Sequence, residues 1–253
     1  MTIFSVVGLI STIALFLPII LLIVLRLSLY RSFPALLLYY LLVFLFNIFK
    51  LGYIKIDETI VSYHGTLSNL LDAPLILLFL TYFSKTASFR KKLLTIIGAF
   101  IVFEIIMLFI YGFNTRATTV ILAPDLIIVL ILSSIFFIHQ VKIAVVHHKA
   151  IGKAIMISSI LFSYAGYSFI YIVYYLIETP YTNDVHLIFF LINIIACITM
   201  SVGIFVEQKR VKQLAELQTA RKELKEIYGE EESKMATPPI EAAIFKFDGN
   251  QLN

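Results

Sequence analysis

Seven separate runs of predominantly apolar residues, most near the roughly 20 that a membrane-spanning helix needs, constrain this chain more than any other feature. They cover about 3-25, 34-54, 67-84, 93-113, 118-141, 153-177 and 185-206. Only the third is short. Polar breaks separate them at Arg26 to Ser32, Lys55 to Gly65, Lys85 to Lys92, Asn114 to Ala117, Lys142 to Gly152 and Glu178 to Asp184. A membrane barrel would instead alternate apolar and polar residues along each strand. The chain is 60% hydrophobic and 14% charged, against about 25% charged in soluble domains. A water-soluble core of this size cannot hide that excess. The expected fold is therefore an all-α membrane protein, a seven-transmembrane helix bundle over 1-207 followed by a short tail over 208-253.

Net charge is +4, but the charges sit between the apolar runs and form no patch for nucleic acid. They read as topology signals. Lys and Arg concentrate on the cytoplasmic side of membrane helices. With the N-terminus outside, that side receives Arg26, Arg31, Lys85, Arg90, Lys91, Lys92, Lys142, Lys149, Lys153, Lys209, Arg210 and Lys212, while the outer side keeps Lys50, Lys55 and Arg116. One helix more or fewer would scramble this partition. The first run has no basic residue before it and is too long for a signal-peptide core, so it is expected to stay as a helix. The expected location is the cell membrane, multi-pass.

In the tail, Gln208 to Tyr228 is charged and helix-prone, with Leu214, Leu217, Leu224 and Tyr228 at heptad-like spacing and Gly229 as the expected stop. Two heptads fit a dimeric coiled coil, and the same face fits a helix lying on anionic lipid. The rest, Glu230 to Asn253, carries Pro238-Pro239 and is too short for a catalytic domain, so an output signal would use a cytoplasmic partner or a second copy bound through 208-253.

Ionisable side chains inside a span cost roughly 2.5 to 3.5 kcal/mol each at its centre by insertion scales, so each calls for a partner or a cavity. Three stand there: Asp72, Glu104 and Asp125. Asp72 lies two residues before Pro74, and Asp125 follows Pro124 directly. Proline frees a carbonyl one turn earlier, so both sites combine a carboxyl group with altered backbone, expected in the outer third of the membrane. Either these groups satisfy kinks or pair with Lys50, or they bind a ligand or ion. Glu104 is a proton or ion site, or is hydrogen-bonded to a neighbouring helix.

The sixth run carries Tyr164, Tyr167, Tyr171, Tyr174 and Glu178 at spacings of three or four, which place them on one helix face. They form an interfacial aromatic belt or an inward-facing wall; the deeper Tyr164 and Tyr167, whose hydroxyls need partners, favour the wall. Tyrosines beside carboxylates suit an organic cation or a polarisable apolar ligand held without a covalent bond. His139, His147 and His148 flank a loop without a carboxylate or cysteine at ligand spacing and read as solvated. His64 falls in an outer loop and His186 begins the last run alone. The lone Cys197 excludes a disulfide framework, and no phosphate loop or nucleophile elbow appears. No enzyme and no metal centre are expected.

Two segments resemble the microbial rhodopsins. Ala73-Pro74-Leu75-Ile76-Leu77-Leu78 is similar to that family's Thr-Pro-Leu-Leu-Leu stretch in the third helix. The Leu187 to Cys197 segment is similar to the part of the seventh helix that carries the retinal-binding lysine and an aspartate four residues earlier. The resemblance implies a seven-helix scaffold, with Asn193 at the aspartate position and Cys197 at the lysine position. A Schiff base needs a primary amine. Covalent retinal is therefore excluded in this helix, and Asn193 joins the candidate ligand-binding residues.

These features rank a receptor-like or sensory membrane protein first, with a ligand held by Asp72, Asp125, Tyr164, Tyr167, Tyr171, Tyr174 and Asn193. A proton-coupled transporter using Asp72, Glu104 and Asp125 is the alternative. A third class is a structural or assembly protein whose polar residues join helices.

Overall fold

The computed structural model describes residues 3–84, 86–147, 150–173 and 182–235. They form α1 (Ile3–Val24), α2 (Phe33–Lys50), α3 (Glu58–Leu80) with a 3-10 turn Thr81–Phe83, α4 (Ala87–Tyr111), α5 (Thr115–His147), α6 (Ile151–Tyr171) and α7 (Thr182–Met235). No strand occurs among the described residues. All seven helices are long and apolar enough to cross a membrane. Large apolar side chains such as Ile13, Phe109 and Ile138 point outward, with Phe109 85% exposed, as lipid would favour.

The chain divides into two compact units, Met1–Gln208 and Lys209–Asn253. In the first, side-chain contacts fix which helix ends meet. Ser32 and Thr81 hydroxyls lie 2.7 Å apart, Gln140 Nε2 donates to the Phe83 carbonyl, and Lys153 Nζ donates to the Tyr82 carbonyl. These join the α1–α2, α3–α4 and α5–α6 connections at one end of the bundle. That end carries Arg26, Arg31, Arg90, Lys91, Lys92, Lys142 and Lys153, and is called the basic end below. At the opposite end Phe49 meets His64 edge-on and Tyr63 meets Phe113.

The third span departs most from its expected bounds. It begins at Glu58, not near residue 67, and 67% of its apolar window is buried, the largest share of the seven. Its first turns read as a polar loop because Ser62, His64, Thr66 and Ser68 break the apolar run, yet the fold supplies partners for His64 and Ser68. His64 is half-buried in the helix, with Nδ1 3.3 Å from Ser68 Oγ and its ring against Phe46 and Phe49. The lengthening also moves Asp72. At 1.5 Å per residue it lies about 21 Å from Glu58 and about 17 Å from Phe83, near mid-span and not in the outer third.

Asp57 caps this helix, its Oδ1 accepting from the Thr59 N–H at 2.7 Å. Hydrogen bonds from the Thr59 side chain and backbone hold its carboxyl below the ordinary 3.8. Because the folded value is the lower one, the cap contributes above the ordinary value and is lost as pH falls through the lowered one. Asp57→Ala is expected to fray Glu58 to Val61 at neutral pH, whereas Asp57→Asn keeps a capping oxygen and removes the acid dependence. Hydrogen exchange of the first turn read by mass spectrometry checks both; equal protection in wild type and Asp57→Ala would contradict this role.

Pro74 and Pro124 lie inside α3 and α5 without ending either helix. Two further expectations are corrected. Lys50 does not meet Asp72 or Asp125: it is exposed, with Nζ 5.7 Å from the Phe46 ring centre. His139, expected in solvent, is half-buried inside α5.

In the second unit, residues 209–235 are helical and Gly229 does not stop the helix, which continues to Met235. A helical glycine costs about 1 kcal/mol relative to alanine. Leu217 and Leu224 are exposed there. The segment 236-253, with Pro238-Pro239, lies outside the described residues.

Candidate functional site

The three membrane carboxyl groups share one region of the bundle. Asp72 comes from α3, Glu104 from α4 and Asp125 from α5, and each is close enough to affect another electrostatically: Asp72 acts on Glu104, and both act on Asp125. Glu104, mid-way along a largely outward-facing helix, is 6% exposed because it points into this centre. Asp125 is 1% exposed, and neither of its carboxyl oxygens has a hydrogen-bond partner. Among the described residues no Lys, Arg or His pairs with any of the three, and no group of His, Cys, Asp or Glu is arranged to hold a metal ion.

Helix α6 brings its tyrosines to the same place, as the spacing predicts for an inward wall. Tyr164, 1% exposed, donates its hydroxyl to Asp72 Oδ2 at 2.7 Å. One turn on, Tyr167 donates to Asn193 Oδ1 on α7 and packs edge-on against Tyr164. Tyr171 donates to the Thr119 carbonyl of α5 at 3.3 Å. Tyr174 and Glu178 lie outside the described residues. Asn193 is 3% exposed, and its Nδ2 has no partner. Tyr39 of α2 completes the group, close enough to Tyr167 and Asp72 to act on both electrostatically.

This arrangement has an uneven balance of polar groups. The hydroxyls of Tyr164 and Tyr167 serve Asp72 and Asn193, which leaves both Asp125 oxygens, one Glu104 oxygen and the Asn193 amide nitrogen unanswered. Buried polar atoms without a partner cost about 1–3 kcal/mol each, and charged ones more. Asp72 and Tyr167 keep part of their surface accessible although they stand among several helices. Three of the four unanswered atoms are carboxyl oxygens, so the surplus is of acceptors.

A second polar cluster, at the basic end, escaped the sequence reading. Glu207 of α7 is 1% exposed and accepts from the Tyr82 hydroxyl, while Lys153 Nζ stands 4.4 Å from the centre of the Tyr82 ring. Lys153 therefore does more than mark topology: it helps tie α6 to the end of α3. The clue available was the position of Glu207, which ends an apolar run without a helix break. Helices α6 and α7 also approach closely here. A Cβ on Gly152 would lie 2.6 Å from the Glu207 backbone nitrogen, and one on Gly203 would lie 2.9 Å from that of Met156.

Comparison with known protein families, curated proteins and solved structures finds no match to this chain.

Proposed function

We propose that this chain is a receptor-like, sensory protein of the cell membrane, with its N-terminus outside and its basic end in the cytoplasm, and that its centre takes a small organic cation. The observation that carries this reading is Asp125: buried, with both oxygens unpartnered, beside two further carboxyl groups and no basic side chain. A carboxylate in such surroundings needs either a proton or a cation. The rings of Tyr164 and Tyr167 add a surface that attracts a cation, worth about 0.5–2 kcal/mol per contact. Asn193, with its unused amide donor, would orient a polar substituent of the ligand. Because α7 carries both Asn193 and the charged residues beyond Gln208, a ligand-dependent shift of this helix supplies a route to a cytoplasmic partner or a second copy. The rhodopsin-like scaffold belongs to the same proposal, with Cys197 buried where retinal would need an amine. No catalytic step is assigned.

One observation favours a second reading, a proton-coupled carrier. The three carboxyl groups come from three different helices and are not arranged around a common ion, so protons could neutralise them one at a time while the helices rearrange. Purified protein in lipid nanodiscs, titrated with radiolabelled choline as a model quaternary ammonium, tests the first reading. Saturable binding that weakens at least about tenfold in Asp125→Asn and in Tyr167→Ala is expected, without choline flux into proteoliposomes. Flux driven by a pH gradient and lost in Asp125→Asn would establish the carrier; neither binding nor flux would sink both.

A further inference from the structure

His64, Ser68 and Asp72 occupy successive turns of α3 at four-residue spacing, so they lie along one slowly turning stripe of the helix. His64 Nδ1 and Ser68 Oγ are 3.3 Å apart. Ser68 and Asp72, one turn apart, have Cβ atoms about 5–6 Å apart by helix geometry, a gap that one water spans. All three are half-buried. His64 lies six residues from the start of the helix, about 9 Å from that end, against Phe46 and Phe49 of α2.

The stripe stops at the centre. The next position in the series is Ile76, 2% exposed, and the helices between the carboxyl groups and the basic end contribute Leu36, Val129, Ile157 and Met200, each no more than 1% exposed. Buried polar groups lie on both sides of the centre, Thr66 and Thr118 toward the opposite end and Ser133, Ser159 and Ser201 toward the basic one. On α3 itself the stripe is polar from the centre to one end and apolar, with Ile76 and Leu80, toward the other.

We infer that His64 and Ser68 form a proton path that connects the carboxyl centre with the aqueous phase at the end of the bundle opposite the basic one. The inference rests on the proposed cation-binding centre, since a centre that exchanges a cationic ligand must also exchange the protons that replace it. In each transfer the His64 Nδ1 proton moves to Ser68 Oγ as the serine hydroxyl proton passes to the bridging water. That water delivers a proton to the Asp72 oxygen not engaged by Tyr164. The imidazole, left neutral, is reprotonated from solvent. The groups facing the end point are Tyr164 on α6, Glu104 on α4, Asp125 on α5 and Tyr39 on α2. Facing His64 are the two phenylalanines, with Lys50 lying over Phe46.

Infrared spectroscopy of the full-length protein in nanodiscs, transferred from H2O to D2O, reads this path through the isotope shift of the carboxylic acid C=O stretch. Asp72→Asn identifies the band. His64→Phe and Ser68→Ala are each expected to slow its exchange at least about tenfold without moving it, in keeping with the rate contribution of a positioned acid–base group. Added imidazole should restore the rate in His64→Ala but not in Ser68→Ala, a response that a merely structural histidine would not show. Tyr82→Phe, at the basic end, should leave the rate unchanged. Wild-type rates in both path variants, or equal slowing in Tyr82→Phe, would overturn the path and leave the centre standing. Absence of any Asp72-dependent band, together with absence of choline binding, would overturn the centre and the path with it.

Discussion

Gly152→Ala is expected to lower the thermal midpoint of the purified protein by about 2–12 °C, although it adds a single methyl group. The new Cβ would stand 2.6 Å from the Glu207 backbone nitrogen and 2.8 Å from its Cα. Neither atom belongs to a flexible side chain, so the clash is relieved only if α6 and α7 move apart. Overpacking of this kind costs about 1–3 kcal/mol, and each kcal/mol shifts the midpoint of a domain of this size by about 2–4 °C. The same separation would pull Tyr167 away from Asn193 and Tyr82 away from Glu207. Gly98→Ala supplies the comparison. No atom lies within 4 Å of its added Cβ, and alanine exceeds glycine in helix propensity by about 1 kcal/mol, so this variant should melt slightly higher than wild type. A thiol-reactive fluorogenic dye suits the measurement, because the sole cysteine, Cys197, is buried until the bundle opens. Matching midpoints for the two variants would show that the close approach of α6 and α7 does not govern stability.

Asp125→Leu is expected to do the opposite: to raise stability by about 1–3 kcal/mol while abolishing choline binding. Replacing a buried ionisable group by a well-packed apolar one is often neutral or stabilising, and here both carboxyl oxygens lack a partner to lose. Asp125→Asn should change the midpoint less, since an amide in the same place is also unsatisfied. The stability change separates a ligand site from structural glue. If Asp125 joined helices, leucine would break a hydrogen bond and lower the midpoint. A destabilised Asp125→Leu would therefore favour the assembly reading over the sensory one, whereas a stabilised variant that no longer binds choline fits a centre kept at a cost to folding.

Asp72, Glu104 and Asp125 were conspicuous in the sequence because charge inside a twenty-residue apolar run is expensive wherever it points. Their convergence was not, since a span's hydropathy does not reveal the rotation of its helix about its own axis. Glu104 illustrates the difference. It reads as an isolated group of the fourth span, and only the orientation of α4 turns it toward the other two. The tyrosines of α6 were more legible, because residues three and four apart must share a face, and the deeper members of the stripe do turn inward. Lys153 was read as a topology charge and Glu207 was not singled out, since a charge beside an apolar run has the same appearance whether it meets water or a tyrosine.

The sequence by itself determined that seven helices would form and which ends would carry the basic residues, because length, apolarity and the placement of charge are properties of each segment taken alone. It also determined that no lysine stands between Asp184 and Gln208, because that is a matter of composition. The tertiary structure decided where the third helix begins, because His64, Ser68 and Gly65 become tolerable in a span only against one another and against Phe46 and Phe49. It likewise decided which acceptors are left unanswered at the centre, since hydrogen bonds between helices depend on rotation and approach that no single segment encodes. Asp72 obtains Tyr164, and Asp125 obtains no hydrogen-bond partner.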